Sequence, residues 1–518
     1  MPVRVLAAVP CLLVLLSGCF GSGADGDPAD ARFADPLVAD LTSAPAGCSL
    51  ELPVVLHKAG GIAAAGFPGP RPVGCLHMSG FATFEPAIGV LSDGTVLIGP
   101  GAAAPLQSNL IEAGVVRTRD QGVTWDLVFP DVAGTGESTH QFTLDPYLYT
   151  DPETDRTWYE DLMPPPNYAL NSWTDDGGDT WTHGYAGGFQ TDHVAVFTGA
   201  PVVGTTIGYP NVLYRCAISA GVTAGGSAAI ACQKSIDGGL AWLPPGEPAY
   251  TFGPGSLGGV VPVESGPLKP CWSGNGHGFA DPAGRVYLPR GHCGSPMLAW
   301  SDDEGLTWER VQVSDIGNVC APDGGLCEHD AGVGVDAGGV LYYVWAGTDR
   351  LLHMVRSWDR GATWDEPLVV SAPGIVEATH VQLAAGGDGR IAFVYYGSAN
   401  SPGEPWSADG YDATTWNAYM AVSYDADGAD PTFATVVLND PAHPLVRGPC
   451  GPVRCDNFHD YIDIRIGPDG APWAPIFDDC TGPCESGDET ANNDAQVGGG
   501  RLWNVGLWDD ADPNGPFP

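Results

Sequence analysis

The stretch Thr118-Arg119-Asp120-Gln121-Gly122-Val123-Thr124-Trp125 follows the pattern Ser/Thr-x-Asp-x-Gly-x-Thr-Trp, which recurs along the chain. Full copies also begin at Thr174, Ser301 and Ser357. The copy at Ser235 has Ala241 in place of threonine, and a decayed copy begins at Ser423. Successive copies start 56 to 66 residues apart. This period is long enough for one four-stranded antiparallel unit with its loops.

The physics of the pattern is that of a tight turn. Aspartate and serine or threonine side chains bond to turn backbone, glycine permits a positive φ, and tryptophan supplies a large apolar plug. These residues resemble the Asp boxes of sialidases and related BNR-repeat proteins, over roughly residues 80 to 508. The resemblance implies a β-propeller in which the boxes lie on outer hairpins, away from the active site. We therefore assign the box residues no catalytic role.

A second repeat lies upstream of the boxes, where two apolar strands flank a glycine turn. Clear cases are residues 88–98, 333–343, 382–396 and 463–477. The 73 glycines and 47 prolines also favour many short strands over long helices. The sequence therefore predicts an all-β protein, a β-propeller of four-stranded blades over residues 76–518. Seven blades are preferred, with residues 501–508 completing the last unit, and six blades are the alternative.

The first residues have the features of an export signal. Arg4 precedes an apolar run at residues 5–16 that is too short to span a bilayer unaided. Leu16-Ser17-Gly18-Cys19 resembles a prokaryotic lipobox, whose cysteine is lipidated and becomes the first mature residue. We predict a signal peptide at 1–18, lipidation at Cys19, and a tether with an N-terminal cap at 19–75 that includes a strand near residues 51–56. The protein is thus expected to be exported and lipid-anchored to the outside of a prokaryotic membrane, with ordinary signal-peptide cleavage as the alternative.

The net charge limits the binding partners that this protein can have, and the cysteine content indicates disulfides. With 62 acidic and 21 basic residues the formal net charge is −41, which repels nucleic acid and anionic membranes. No nucleic-acid partner is expected, membrane contact is expected through the lipid alone, and the protein is expected to be a monomer. Twelve cysteines follow Cys19, and their even number in an exported chain favours disulfides over thiolate metal sites. Near neighbours such as Cys216 with Cys232, and Cys320 with Cys327, are the simplest pairs.

Histidine recurs near the start of the presumed inner strands, which line the central channel of a propeller. The set is His140, His193, His277, His329, His380 and His459, and Glu85 takes this place in the first blade. Glu85 and four of the histidines lie an odd number of residues before a turn glycine, so strand alternation predicts that they share one face. Asp192 and Asp330 lie beside histidines of this set. We predict that these residues bind a glycan or another polar ligand at the channel mouth, and the alternative is that they cap a water-filled channel.

Two cation sites are also candidates. The six histidines could hold a transition metal, because imidazole and carboxylate groups bind such ions, and nothing in the pattern separates zinc from copper. Residues 425–430, Asp-Ala-Asp-Gly-Ala-Asp, resemble part of a calcium loop, although a plain acidic turn is the favoured interpretation. The sequence therefore leaves three alternatives for a cofactor: a transition metal at the histidines, calcium on the acidic loop, or no cofactor.

The resemblance to sialidases also bears on catalysis. Sialidases use an arginine triad for the substrate carboxylate, a tyrosine–glutamate nucleophile pair and an aspartate acid/base. Their first arginine lies in a Phe/Tyr-Arg-Ile-Pro motif, and in this chain Pro86 matches whereas Phe84 occupies the arginine position. Four other arginines could build a different anion pocket, although we interpret most of them as solvated surface charges: Arg215, Arg290, Arg356 and Arg465.

The sequence therefore predicts, first, a surface-anchored propeller that binds a glycan or another polar ligand without exo-sialidase activity. The second hypothesis is a glycoside hydrolase with altered catalytic residues, namely Glu85, Asp460 and Tyr461. A metal-dependent enzyme that uses the histidines is the third hypothesis. A protein-interaction scaffold with an inert channel is the fourth.

Overall fold

The computed structural model describes residues 44–83, 85–101, 111–112, 114–128, 142–143, 146–162, 169–186, 193–219, 229–251, 275–292, 294–319, 331–401, 414–448, 462–481, 484 and 496–508. These residues form β-sheets joined by turns, with a short 3₁₀ turn at Ala59–Gly61. No helix within the described ranges has the length and hydropathy needed to cross a membrane.

Five sheets have four strands each, antiparallel and in sequence order from the innermost strand outward. We call them blades 1 to 5. Blades 1 and 2 consist of Ala87–Val90, Val96–Gly99, Val115–Thr118 and Asp126–Val128, and of Tyr147–Thr150, Thr157–Leu162, Ala169–Thr174 and Thr182–Ala186. Blade 3 consists of Ala195–Gly199, Val212–Ser219, Ala229–Ser235 and Tyr250–Thr251. Blades 4 and 5 consist of Phe279–Ala280, Val286–His292, Ser295–Ser301 and Glu309–Gln312, and of Ala331–Val335, Leu341–Ala346, Leu352–Ser357 and Leu368–Val369.

Blade 6 is enlarged by N-terminal strands. Its four main strands are Glu377–Ala385, Ile391–Ser398, Thr415–Ser423 and Thr432–Val437. Val54–Lys58 pairs with the last of these strands, and Ile62–Ala63 extends the edge. Val446–Arg447 pairs with the third strand, and Ile111–Glu112 forms a separate small ladder with Phe142–Thr143. The strand predicted near residues 51–56 is therefore present, but it begins at Val54 and belongs to a blade.

Blade 7 joins the two ends of the chain. Arg465–Ile466, Pro472–Asp478 and Gln496–Trp503 supply its first three strands, and Val73–Ala82 supplies the fourth. Cys75 pairs with Arg501 in this register, and Cys48–Ser49 adds an edge strand that is linked to Cys75 by a disulfide. The inner strands lie side by side around a ring in which blade 7 contacts blade 1. The predicted all-β propeller is confirmed, and the ring contains seven sheets of four or more strands.

The apolar core lies between neighbouring blades. One cluster runs through blades 1 to 4 and includes Trp158 and Tyr214, both fully buried. Further clusters join blade 4 to 5, blade 5 to 6, blade 6 to 7 and blade 7 to 1. Because each sheet is covered on both faces, its strands are apolar almost throughout, as in Leu341–Ala346, where all residues are buried.

The Asp boxes connect the third and fourth strands of their blades. In the first box Thr118 Oγ1 donates to Asp120 Oδ1 at 2.9 Å and accepts from Gly122 N at 2.9 Å. Thr124 then donates to Asp120 through its backbone N at 2.8 Å and its hydroxyl at 2.6 Å. Burial acts to raise the pKa of Asp120, but the hydrogen bonds from Thr124 outweigh it and lower the pKa. The motif is thus a closed local network, as its sequence predicts.

The decayed box keeps this arrangement in a longer loop. Asp425 accepts from Ser423 Oγ at 3.0 Å and from Thr432 N at 2.9 Å, so Thr432 replaces the missing box threonine. Blade 7 has no box, because its third and fourth strands come from opposite ends of the chain and no hairpin connects them. Seven blades therefore carry six boxes.

A basic side chain from each blade reaches the box of the next blade. Arg117 of blade 1, for example, donates to Gly177 O at 3.0 Å and to Asp179 at 2.6 Å in blade 2. Arg390 of blade 6 donates instead to Trp508 O at 2.6 Å, in the segment that follows blade 7. The complete ring is Arg117, Arg156, Lys234, Arg285, Arg356, Arg390 and Arg501. Many of the few basic residues of this acidic chain thus lie at blade interfaces.

Three boxes place a non-glycine residue in left-handed backbone just before the box glycine. Gln121, Glu304 and Arg360 have φ values of 59°, 59° and 60°. Each side chain binds a neighbouring blade: Glu304, for example, accepts from Val202 N at 2.7 Å and from Lys234 Nζ at 2.7 Å. These inter-blade bonds offset the cost of a backbone conformation that favours glycine.

We predict that Ala241→Thr stabilises the protein by about 0.5–1 kcal/mol. At the threonine position of the Ser235 box, only the backbone bond from Ala241 N to Asp237 remains, at 2.9 Å. A threonine hydroxyl would add the bond that Thr307 makes to Asp303 at 2.6 Å. Urea denaturation measures the change, and Thr307→Ala, which removes that bond, is the matched control with the opposite sign. An unchanged Ala241→Thr midpoint beside a destabilised Thr307→Ala would contradict the prediction.

Candidate functional site

The ring has two chemically different faces. On one face of the ring each inner strand ends and turns into the hairpin that leads to the second strand, which we call the first hairpin. The Asp boxes lie on the same face, and we call it the Asp-box face. Arg156, in the first hairpin of blade 2, bonds to Asp175 at 2.6 Å and to Gly238 O at 3.3 Å, both in boxes, which confirms this common side. The inner strands begin on the opposite face, where His193 and His277 precede their strands.

A central cavity of about 570 Å³ lies among the inner strands. It is lined by the first hairpins of blades 2 and 4 near the Asp-box face and reaches inward to His277 and Arg465. Apolar walls include Phe197, Phe279 and Leu383. A cavity of this volume with mainly apolar walls and a few polar groups has the features of a small-molecule site.

The inner end of the cavity holds a buried charge cluster. Asp463 is fully buried, and its Oδ1 accepts from Arg465 at 2.6 Å and lies 3.2 Å from His277 Nδ1. Its Oδ2 accepts from Ile88 N at 3.2 Å. Burial acts to raise the pKa of the Asp463 carboxyl, but the charges of Arg465 and His277 and these hydrogen bonds lower it overall. The carboxylate therefore joins blades 7, 4 and 1 across the channel.

Two tyrosines of blade 2 support this cluster. The ring of Tyr147 packs edge-on against His277 with centroids 5.1 Å apart, and burial raises the Tyr147 pKa far above its usual value. The Arg465 guanidinium lies 5.7 Å from the centroid of the Tyr149 ring, and Tyr149 bonds to Thr198 at 2.9 Å. His277 and Arg465 are thus held in fixed positions facing the cavity.

Gln382 of blade 6 contributes an amide to the cavity wall. Its side chain is 3% exposed, and its Nε2 has no hydrogen-bond partner among the described residues. A register shift interrupts the inner strand between Thr379 and Gln382. Gly332 of blade 5 permits the close approach of this strand of blade 6 to blade 5, because a Cβ at Gly332 would lie 2.6 Å from Leu383 N. A buried amide donor without a partner costs free energy that a ligand oxygen would recover.

The rim of the cavity on the Asp-box face is acidic. Asp151 is buried and accepts from Asn211 at 3.0 Å, and Glu153 accepts from the same amide at 3.0 Å. Asp281 also lines the rim and pairs with Arg360 at 2.7 Å. Trp508 lies at this edge, where its Nε1 donates to Gly467 O at 2.8 Å. The rim thus offers hydrogen-bond acceptors and one partly exposed indole.

Four of the predicted site residues can be placed, and the structure does not gather them at one site. Glu85, His193 and His277 each precede an inner strand by two residues, and His380 lies at the irregularity of blade 6. His277 lines the cavity, and the other three do not. Glu85, His193 and His380 have φ values of 48°, 51° and 53°. Left-handed backbone interrupts strand alternation, so the parity argument for one shared face does not hold at Glu85 and His380.

The other predicted residues lie outside the described ranges. They are Cys19, His140, Asp192, His329, Asp330, His459, Asp460 and Tyr461. Their roles stay predictions, as does the pair Cys320 with Cys327. The predicted disulfide between Cys216 and Cys232 is confirmed, and a further disulfide joins Cys480 to Cys484.

The described residues hold one group of potential metal ligands, Cys48, Cys75 and His77. The two sulfurs are bonded to each other, so this group is a disulfide beside a histidine. The described histidines of the channel form no such group. At residues 425–430, Arg356 donates to the carbonyl oxygens of Ala426 and Gly428, and Lys58 pairs with Asp430. Hydrogen bonds within the protein therefore occupy this loop, in agreement with a plain acidic turn.

Three arginines that we interpreted as surface charges are buried. Arg215 lies between blades 2 and 3, where its Nε donates to both Glu160 oxygens at 2.7 and 2.8 Å. Arg290 is fully buried over the Tyr250 ring, and burial lowers its pKa to about 9. Arg356 pairs with Asp365 at 2.7 Å. The interpretation was wrong because a strand position in a sheet covered on both faces leaves little room for solvated charges.

Residues that sequence reasoning missed include Gln382, Tyr149 and Trp508. The signal for Gln382 was its place between Val381 and Leu383 in the apolar end of its inner strand, since a polar residue there faces the channel or a neighbouring blade. Trp508 follows the last strand and carries no periodic signal.

Comparisons with known proteins find no matching family and no matching curated protein. Solved structures do match. They include a protein of unknown function from Dyadobacter fermentans, with 14% identity over 83% of this chain and 97% of that chain at a TM-score of 0.40. They also include an intramolecular trans-sialidase from Ruminococcus gnavus in complex with oseltamivir carboxylate, with 15% identity over 82% and 94% at 0.37.

A lectin from Aleuria aurantia in complex with Fucalpha1-6GlcNAc matches with 10% identity over 70% of this chain and 99% of the lectin, at a TM-score of 0.37. TM-scores this low add no weight to any assignment of function. The propeller fold is established by the ring of sheets described above.

Proposed function

We propose that this protein is an exported, lipid-anchored propeller that binds a glycan or another small polar ligand in its central channel. The observation that carries the proposal is Gln382, which is 3% exposed, has no described partner at Nε2 and lines a cavity of about 570 Å³. A structural residue at this place would be expected to have its hydrogen bond satisfied.

The rest of the lining supports the same function. His277 and Arg465 offer polar groups at the inner end, and Asp151 and Glu153 offer acceptors at the rim. The ring faces of Phe197 and Phe279 and the indole of Trp508 offer apolar surface between these ends. Sugars combine hydroxyl groups with apolar ring faces, so both parts of the cavity have a counterpart in such a ligand.

We predict that Gln382→Leu weakens ligand binding about tenfold or more while leaving the ligand-free protein as stable or more stable. Leucine removes a buried donor that has no protein partner, so the ligand-free state loses no bond. Binding is measured on a glycan array and by calorimetry with the glycans that the array identifies, and stability is measured by thermal unfolding.

Gln312→Leu is the matched control, because Gln312 Nε2 donates to Ser314 O at 2.8 Å and lies outside the cavity. We expect it to lower stability and to leave binding unchanged. A protein that binds no glycan on the array, or a Gln382→Leu variant that loses stability as Gln312→Leu does and binds normally, would overturn the proposed site.

Hydrolysis of a glycoside is the alternative function of this protein. A fluorogenic sialoside tests it directly, and turnover that is lost in Glu85→Gln would replace binding by catalysis as the function. Glu85 is 4% exposed at the start of blade 1, on the face opposite the cavity rim. We expect no turnover, because Phe84 stands where sialidases have their first arginine.

The membrane anchor has its own prediction. We expect Cys19→Ala to release the protein from the membrane fraction and to abolish incorporation of labelled fatty acid. Export is supported by three disulfides among the described residues. Cys11→Ala, which changes a cysteine within the apolar run, is the matched control and is expected to leave anchoring intact. A Cys19→Ala protein that stays labelled and membrane-bound would contradict the anchor.

A further inference from the structure

We infer that the channel takes a hydroxylated ligand that is neutral or carries an amino group, and excludes ligands with a carboxylate. This inference rests on the proposed binding function and defines the charge of its ligand. It separates the site from one that recognises an acidic sugar.

The charge balance of the lining is the first argument. Four charged side chains line the cavity: Asp151, Glu153, Asp281 and Arg465. Asp281 is paired with Arg360 at 2.7 Å, and Arg465 is paired with Asp463 at 2.6 Å. Asp151 and Glu153 instead share the neutral amide of Asn211, and no cation among the described residues pairs with either. Once the ion pairs are counted as neutral, two negative charges remain at the rim.

The chemistry of Arg465 is the second argument. Its Nη1 donates to Asp463 Oδ1 at 2.6 Å and to Ile464 O at 2.9 Å. A ligand carboxylate beside it would approach Asp463, whose lowered pKa keeps that carboxyl ionised near neutral pH. The like charge of Asp463 therefore opposes the attraction of Arg465 for an anion.

The remaining buried arginines do not compensate. Arg215 and Arg290 are absent from the cavity lining, and Arg215 is paired with Glu160, to which its Nε donates. Recognition of a carboxylate by bidentate guanidinium groups requires donors that converge on the ligand. The described lining provides no such convergence.

The polar groups of the lining define what fits instead. Gln382 Nε2 on blade 6 has no described partner and requires an acceptor oxygen, and the exposed Glu153 carboxylate on blade 2 accepts from hydroxyl or ammonium groups. Asp151 is 1% exposed and already accepts from Glu153 N, Tyr209 and Asn211, so it acts through its negative charge. Blades 2 and 6 lie on different sides of the ring, so a ligand that contacts both spans the channel. A polyhydroxylated ring with or without an amino group supplies acceptor and donors together.

A charge series on one sugar ring tests the inference. Glucosamine, N-acetylglucosamine and glucuronic acid are titrated into the full chain at millimolar concentration, with saturation-transfer NMR as the readout. We expect the amino and neutral sugars to bind roughly tenfold or more tightly than the acid at low salt. The preference should shrink as ionic strength rises, because part of the rim is open to solvent.

Variants assign the preference to the rim. Asp151→Asn with Glu153→Gln should reduce the discrimination against glucuronic acid severalfold. Glu366→Gln removes an exposed carboxylate outside the cavity and is expected to change nothing. Thermal unfolding of each variant shows whether the rim variant is folded, and Glu153→Gln alone, at an exposed position, provides the test if the double variant is not.

The outcomes separate the two proposals. Glucuronic acid that binds as tightly as N-acetylglucosamine, or a preference that survives the rim substitutions, overturns the inference while the binding function stands. Absence of binding by all three sugars and by every glycan on the array overturns the binding function and this inference with it.

Discussion

Replacing Arg465 with methionine is expected to lower the free energy of unfolding by about 3–5 kcal/mol near neutral pH. The substitution leaves the Asp463 carboxylate, 1% exposed, without the guanidinium that lies 2.6 Å away in the native protein. Backbone N–H groups and His277 do not replace that charge. Urea denaturation followed by tryptophan fluorescence measures the loss, and ligand titration shows the accompanying loss of binding.

The loss should depend on pH in a defined direction. In the native protein the pKa of Asp463 is lowered, so its contribution to stability is present above the unfolded pKa of about 4 and is lost as pH falls through the folded value. Without Arg465, burial dominates and raises that pKa, so the variant regains stability as Asp463 is protonated. The difference between the two proteins should therefore shrink as pH falls.

The double variant Arg465→Met with Asp463→Asn is the control. It removes both charges and should recover most of the lost stability at neutral pH. A loss for Arg465→Met that is the same at pH 4 and pH 7, about where a free carboxyl is half and fully ionised, would show that packing and not charge is responsible.

Replacing Arg215 with methionine is expected to cost a similar amount, about 3–5 kcal/mol. Arg215 and Glu160 have side chains that are 2% and 0% exposed, and between blades 2 and 3 they form an ion pair with two hydrogen bonds, from Nε to the two carboxylate oxygens at 2.7 and 2.8 Å. The single substitution leaves a carboxylate in the interior of the ring. Ligand binding is expected to be unaffected, because neither residue lines the cavity.

Two controls define the cause. Arg215→Met with Glu160→Leu should restore stability or exceed it, since well-packed apolar pairs replace buried ion pairs without loss. Arg119→Met, which breaks an exposed pair with Asp179, should cost less than about 1 kcal/mol. If the Arg215 and Arg119 variants were equally stable, the interface between blades 2 and 3 would not depend on this ion pair.

Local signals predicted most of the fold. The Asp boxes and glycine hairpins are contained within short segments, so their spacing determines the blades, and the hairpin at residues 88–98 appears as Ala87–Val90 and Val96–Gly99. The closing strand Val73–Ala82 could not be predicted in the same way. It pairs with Gln496–Trp503 at the far end of the chain, and no turn motif connects them.

The candidate site was predicted less well, because its features depend on irregular backbone. Counting alternate residues assumes extended strands, whereas Glu85 and His380 have positive φ values of 48° and 53°. Among the described histidines of the predicted set, His277 lines the cavity. The recurrence of histidine at strand starts did not predict the contact between His277 and Asp463, because these residues lie far apart in the chain and only the closed ring brings them to 3.2 Å.

The disulfide between Cys48 and Cys75 determines how a pull on the N-terminal segment would reach the ring. Tension applied ahead of Cys48 passes through the sulfur bridge directly into Val73–Ala82, the strand that closes blade 7. That strand is hydrogen-bonded to the antiparallel strand Gln496–Trp503 along its length. A pull along the strand therefore acts in shear on several of these hydrogen bonds at once. A protein tethered at this end would thus transmit the load to the strand pair that closes the ring.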